Sequence, residues 1–547
     1  MARYLKNAAK AAVAPVPQSE PLNERQVANS AGGYAYPVDC WKRLDRFLIL
    51  GSEGGSYYAS EKTLSKENVK AVDECVKKDG IRTVNRIVEI SDQGRAPKND
   101  PALLALAYAA GVGDSKTRTA ALDALPKVAR IGTHLFHFVD YVTEFRGWGR
   151  ALKRSVADWY LKQDTDKLAD QLTKYQQRDK WSNRDLLRLA HPKPKEDRQK
   201  ALFHWAVKGE LLDDIREPLK LRGHLRLQEA TSGKEAAKLI REYGLVRESV
   251  PTELLKDKEV WAALLEKMPM TAMIRNLGNM SKCGLLTPMS EAQKTVVAAL
   301  GDVDKLRKAR VHPIQILIAA KTYGSGQGVR GSGAWETVPK VMDALDDAYY
   351  AAFQNVQPTG KRFYLGMDIS GSMWSGVVAG IVGFPPAVAG GAMAMVTVKT
   401  EEDYYAAGFT QGSGGGYGGA WGGGNSAMSP LALSPKQRLD DVVKVMEKMS
   451  ARMGGTDCSL PMLDALEKKM EIDVFTIYTD SETWAGNIHP TKALEQYRQK
   501  MGIPAKLVVC GMVSNGFSIA DPNDGGMLDV VGFDSATPQI IGDFSKE

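Results

Sequence analysis

Residues 362–372 read Arg-Phe-Tyr-Leu-Gly-Met-Asp-Ile-Ser-Gly-Ser, an apolar run of strand length that stops at a carboxylate, Asp368, and continues with hydroxyls at Ser370 and Ser372. Similar β-rich runs follow at 403–410, 472–480 and 505–512, with helical patterns between them at 434–450 and 491–501. Strands and helices alternating at these lengths predict a doubly wound α/β domain, with a mostly parallel sheet covered on both faces. Upstream of Thr359-Gly360 the texture differs. From about residue 65 to 355, apolar residues recur at helical spacing in short segments, as in PALLALAYAAGVG from 101, ALDALPKVARI from 121, KEAAKLIREYGL from 234 and EVWAALLEKM from 259. Turns with Gly, Pro, Ser or Asp separate these segments, which predicts an α-solenoid of HEAT-like helical repeats. The expected organisation is a tail over 1–25, a helical-repeat domain over 26–359 and an α/β domain over 360–547.

A chain of 547 residues is too long for one hydrophobic core. No run of about 18 apolar residues lacks charge or proline, so no membrane span is expected. The N-terminal run is basic and alanine-rich, and Lys10 interrupts it too early for a secretory signal. A disordered tail and a cytoplasmic protein are the expectation. Five cysteines form no CxxC pair and no zinc spacing. The charge is divided: the first 360 residues carry 57 Lys+Arg against 44 Asp+Glu, a net of +13, while the remainder carries 15 against 21, a net of −6. A basic front favours a polyanion such as nucleic acid, and an acidic back favours a cation.

The acidic part offers a place for that cation. Asp368, Ser370 and Ser372 follow one strand, Gly454-Gly455-Thr456-Asp457 opens a helix, and IDVFTIYT ends at a second strand-terminal carboxylate, Asp480. Together they match the pattern of a metal-ion-dependent adhesion site. Carboxylate and hydroxyl oxygens are hard ligands, suited to Mg2+ first, with Ca2+ or Mn2+ as alternatives, and poor for zinc. With two anionic groups among five, the ion would keep positive charge and an open position for a partner's carboxylate or phosphate oxygen. The plainer reading makes Asp368 a strand-end cap and Asp480 a turn former. A phosphoryl-accepting role for Asp368 is disfavoured because Ser370, not a second acid, stands two residues on.

Basic side chains cluster upstream. Within WGRALKRSVADWY (148–160), Arg150, Lys153 and Arg154 share a helix face by spacing, while Leu152, Val156 and Trp159 turn inward. Lys174 and Arg178 are four apart. Ser182 with Asp185 resembles a capping box that starts a helix near Asn183, on which Arg184, Arg188 and His191 fall within about 60° of one another. Such cations suit phosphates, and His191 or Tyr175 could stack on bases. The plain alternative is a solvated face, with His191 capping a helix end. The glycine-rich run 411–424 reads as a loop, in which Tyr417 and Trp421 could stack on bases.

The motifs RLDRFLILGSEGGSYY (43–58), GTHLFHFVDYVTEFRGWGR (132–150), KYQQRDKWSNRDLLRLAHPKP (174–194) and PMTAMIRNLGNM (269–280) resemble the TROVE module of the Ro/SS-A ribonucleoprotein family. GKRFYLGMDISGSM (360–373), GGTDCSLPM (454–462) and YTDSETWAG (478–486) resemble that family's von Willebrand A-like domain. The resemblance implies a monomeric ring of helical repeats closed by the A-type domain. It implies a Y RNA-like small RNA on the basic outer surface, ends of misfolded RNA in a central hole, and an exoribonuclease as partner. It maps RNA contacts onto Lys174, Arg178 and His191, and the cation onto Asp368, Ser370, Ser372, Thr456 and Asp480. Two departures stand out: Asn183 replaces a frequent histidine, and the 411–424 run is longer than usual. RNA quality control or small-RNA stability without catalysis is the expected role. A cation-dependent protein scaffold is the alternative.

Overall fold

Strand-forming sequence concentrates at the two ends of the chain. The computed structural model describes residues 15–328, 333–353, 356–381, 384–411, 427–449 and 454–547. Strands β1 (Val27–Ala28) and β2 (Tyr34–Pro37) lie near the N-terminus, and β3 (Gln177–Arg178) with β4 (Trp181–Ser182) forms a hairpin among helices. Then come β5 (Phe363–Asp368), β6 (Tyr404–Phe409), β7 (Met428–Pro430), β8 (Val474–Thr479), β9 (Lys506–Gly511), β10 (Phe517–Ser518) and β11 (Met527–Val531).

Two compact units emerge: Val69–Phe353, and the N-terminal residues through Asn68 joined to Gln354–Glu547. Among the described residues the first is helical apart from the hairpin and a single bridge between Gln327 and Ala334. Helix Asp100–Val112 packs on Gly132–Phe145, while Ser115–Val128 packs on Arg150–Leu161, which packs on Asn183–Ala190. Neighbouring repeats thus bury each other's apolar stripes, as a solenoid requires. Buried aromatics such as Phe136, Phe138, Trp159 and Tyr160 fill the space between them.

In the second unit the sheet order is β11-β9-β8-β5-β6-β7, and every neighbouring pair is parallel except β6 and β7. Strands β5 and β8 are buried at every position, which is why they read as continuous apolar runs rather than alternating ones. Tyr364, Phe409, Phe475, Ile477 and Leu507 lie in one core with Tyr497 from helix Pro490–Met501.

The N-terminal segment departs from expectation. Residues 15–25 do not form part of a disordered tail: Gln18 is fully buried, and its amide donates to Asp457 Oδ1 and the Ile488 carbonyl, both at 2.8 Å. Residues 1–14 lie outside the described residues. Strand β2 pairs antiparallel with both β1 and β10, so residues expected to open the helical domain extend the A-type unit instead. Gly33 permits the approach, since a Cβ there would sit 2.0 Å from the Thr483 carbonyl oxygen. Residues 412–426, with Tyr417 and Trp421, lie outside the described residues.

Candidate cation site and basic face

Strand order reverses between β5 and β8, since the chain runs from β5 outward through β6 and β7 before returning to β8 on the other side. Side chains at their carboxyl ends therefore meet at a switch point, the usual place for a ligand in such sheets. Asp368 closes β5 and Asp480 follows β8. Ser370 N donates to Asp368 Oδ1 at 2.9 Å, Thr479 Oγ1 donates to Asp368 Oδ2 at 2.6 Å, and the Ser370 and Ser372 hydroxyls are 3.2 Å apart. The Gly371 amide donates to the Gly454 carbonyl at 3.1 Å, and the Thr456 carbonyl accepts from Trp484 N and Ala485 N at 3.0 Å each. Three segments far apart in sequence are stitched together, and all five expected ligands are buried. Asp457, the other acid of that motif, accepts from the Ser459 amide and hydroxyl and from the Gln18 side chain.

Two carboxyls packed together out of water raise one another's pKa. Burial, then the charge of Asp480, pushes the Asp368 carboxyl up to about 7, and burial also raises Asp480. Glu482, which the sequence reading did not single out, is buried beside them and pushed up to about 7 by burial and by Asp480. Its carboxylate accepts from Ser30 N at 2.7 Å and Ala31 N at 3.3 Å, so the N-terminal segment reaches the site's rim. Among the described residues no group of three or more His, Cys, Asp or Glu forms a metal cluster. The donor set here is two carboxylates and three hydroxyls, oxygen only, and it fits a hard divalent cation.

On the helical unit, Arg150 is the first residue of helix Arg150–Leu161, with Gly149 as N-cap and no acidic residue in the first turn. Arg154 lines a cleft of about 230 Å³ with Arg118, Arg146 and Lys162, cations the sequence reading missed, and with Asp123 and Asp158, the latter paired with Lys162 at 3.1 Å. Ser182 and Asp185 form the expected capping box, and Arg184 and Arg188 are exposed on that helix. Among the described residues, Arg150, Lys153, Arg154, Arg184 and Arg188 make no ion pair.

Three expected positions need correction. Lys174 ends helix Thr165–Lys174, whereas Arg178 lies in β3, so the helical spacing that seemed to join them does not exist. Lys174 is paired with Glu248 at 3.4 Å and lies over the Tyr175 ring, and Arg178 is 62% exposed beside Asp179. His191 sits beyond its helix as a left-handed cap (φ 47°), exposed rather than on the Arg184–Arg188 face. Asn183 is buried, accepting from the Tyr160 hydroxyl at 2.9 Å and donating to the Tyr175 carbonyl at 2.7 Å. It braces the turn from inside, so the position offers no outward contact.

A helical repeat followed by an A-type domain with a carboxylate–hydroxyl site defines a recognisable class. The TROVE domain model matches residues 27–232 and 227–322, and the Ro60 vWA domain model matches 362–545. The chain is 42% identical to the RNA-binding protein RO60 of Deinococcus radiodurans over 534 residues, 97% of each chain. It is 35% identical to the RNA-binding protein RO60 of Caenorhabditis elegans, over 96% of this chain and 91% of that one. The crystal structure of Deinococcus radiodurans RO (RSR) protein, 41% identical, matches with a TM-score of 0.67 over 93% of this chain and 99% of that one. The chain belongs to the Ro60 family. Among the described residues, no helix is long and apolar enough to cross a membrane.

Proposed function

We propose that this protein binds RNA: a small structured non-coding RNA, of the Y RNA kind, on the basic face of its helical unit, and the ends of misfolded RNA in the hole that the family's ring implies. Its role is in RNA quality control or small-RNA stability, without catalysis of its own. The observation that carries this is a set of cations on packed helices, Arg150, Lys153, Arg154, Arg184 and Arg188, that make no ion pair among the described residues. Arg150, at the positive end of its helix with no compensating acid in the first turn, costs about 0.3–1 kcal/mol in the free protein, which a phosphate would relieve. The names of both relatives support the reading. Lys174, Arg178 and His191 are proposed contacts beside Arg150, Lys153, Arg154, Arg184 and Arg188.

The test is a binding isotherm with a structured small RNA at several salt concentrations. Affinity should fall steeply with salt, by about 0.7–0.9 in log–log slope per phosphate contact. Replacing Lys174 and Arg178 together by alanine should weaken binding at least tenfold and flatten that slope by about one to two, without lowering the thermal midpoint. Unchanged binding by the double variant would remove the site assignment.

The convergence of Asp368, Ser370, Ser372, Thr456 and Asp480 favours a second, compatible activity. We propose that they hold a divalent cation, Mg2+ before Ca2+ or Mn2+, which takes an acidic side chain from a protein partner, an exoribonuclease among the candidates. Partners lost from purified protein on EDTA but not on ribonuclease treatment would support the scaffold; RNA lost only to ribonuclease would support the first reading.

A further inference from the structure

We infer that the helical unit holds a pocket for one unpaired nucleotide of a bound RNA, set between helices Met270–Lys282 and Pro313–Gly324 and walled by Trp335, with a preference for a base that carries an exocyclic amino group. This rests on the RNA reading above and adds a base-selecting site to the phosphate contacts proposed there. The two helices pack on each other and leave a cavity of about 380 Å³, within the usual range of about 300–1,000 Å³ for small-molecule sites. Helical spacing decides its lining. Thr271, Arg275 and Asn279 stand four apart on the first helix, and Gln315, Ala319 and Thr322 follow one face of the second. Buried Ile274 and Leu277, with half-buried Ile318, make the floor apolar. Trp335 is held in three ways. Its backbone N donates to the Gly326 carbonyl at 2.9 Å, its Nε1 donates to the Tyr323 carbonyl at 3.0 Å, and its ring lies at 13° to the Tyr323 ring with centroids 6.2 Å apart. Tyr323 is itself buried, and its hydroxyl accepts from Val338 N at 3.2 Å. Gly278 makes room for the indole, since a Cβ there would lie 2.8 Å from Trp335 Cζ3 and Cη2.

A fixed aromatic wall over an apolar floor suits the flat face of a base, and such stacking is tolerant of sequence. The rim adds a choice. Asn279 Nδ2 donates to Asn276 Oδ1 at 3.0 Å, and Gln315 Nε2 donates to the Pro97 carbonyl at 3.0 Å. With both amide nitrogens committed, the two side chains offer their carbonyl oxygens, which accept from an amino group. Adenine carries such a group and uracil carries none. Arg275, exposed and in no ion pair among the described residues, supplies the charge that a backbone phosphate needs. A base stacked within a duplex cannot enter, so the occupant is unpaired.

The experiment follows the fluorescence anisotropy of labelled adenylate and uridylate hexamers, and of a blunt RNA duplex, with the full chain as wild type, Trp335→Leu, Ala319→Phe and Arg275→Ala. Wild type should bind the adenylate hexamer about two- to tenfold more tightly than the uridylate, the effect of one hydrogen bond. Trp335→Leu should weaken the adenylate hexamer by about fivefold or more, the effect of one lost stack. Ala319→Phe, which fills the pocket and leaves Trp335 in place, should do the same. Arg275→Ala, an exposed change, should weaken both hexamers alike. All three variants should bind the duplex as wild type does. Wild-type affinity for the adenylate hexamer in any variant overturns the inference, as does a wild type without preference or a variant that loses the duplex in step with the hexamer. Displacement of the hexamer by an equal concentration of adenosine monophosphate would give the pocket to a free nucleotide and overturn the RNA part. If wild type binds the duplex but neither hexamer, this inference alone falls; if it binds no RNA at all, the RNA reading falls with it.

Discussion

His134, near the start of helix Gly132–Phe145, is held well below the usual histidine range, at about 3, by burial first and then by the charges of Arg130 and His137. An imidazole that stays neutral when folded but charges freely when unfolded gives stability that is complete above about pH 6.5 and lost as the pH falls below it. Between pH 7.5 and 5 the helical unit should lose up to about 2 kcal/mol that His134→Gln does not lose. Thermal midpoints of the two proteins against pH should therefore converge on acidification, and parallel curves would remove His134 from the account. Residues of this kind carry little sequence signal. Asp368, Ser370, Ser372, Thr456 and Asp480 were legible because short fixed spacings follow strand-like runs. Glu482 was not, because the contacts that bury it come from Ser30 and Ala31, far away in sequence.

The hairpin β3–β4 is where helical reasoning broke down. Its turn is Asp179-Lys180, both in left-handed backbone (φ 50° and 67°), as a two-residue turn of type I′ demands. Neither residue advertises that turn, unlike Asn-Gly or Asp-Gly. Tertiary contacts impose it: Asp179 pairs with His137, and Trp181 Nε1 donates to Asp140 at 3.3 Å, both on helix Gly132–Phe145. The next element was legible because its signal is local, Ser182 and Asp185 capping Asn183–Ala190 in both directions. Two substitutions should therefore move stability oppositely. Lys180→Gly, relieving the left-handed strain, should raise the thermal midpoint by the equivalent of about 0.5–1 kcal/mol. Ser182→Ala should lower it by the equivalent of about 1 kcal/mol. Calorimetry on both variants checks the pair, and a destabilised Lys180→Gly would mean that this backbone costs little here.

At the scale of the whole molecule, the charge division and the change of texture near residue 360 marked two units, yet residues 15–68 belong with the last part of the chain. Strand β2 and the helix Cys40–Leu50 resemble the opening of a helical domain, and no sequence period reveals a strand pairing with a partner nearly 500 residues away. The pairing is not superficial. Arg46 is fully buried; it donates to Asp529 at 2.7 Å, to the Asn515 carbonyl and side chain at 3.0 Å each, and to the Phe517 carbonyl at 2.9 Å. Removing one partner of a buried ion pair leaves the other charge without solvent or counter-ion, at about 3–5 kcal/mol. Arg46→Ala should thus destabilise the A-type unit by that amount. A fragment of residues 360–547, lacking Arg46, Gln18 and strand β2 together, should be largely insoluble or should melt without a cooperative transition. Adding a separate peptide of residues 15–68 should restore cooperative melting. A 360–547 fragment that melts as sharply alone as with the peptide would show that the N-terminal segment decorates this unit rather than completing it.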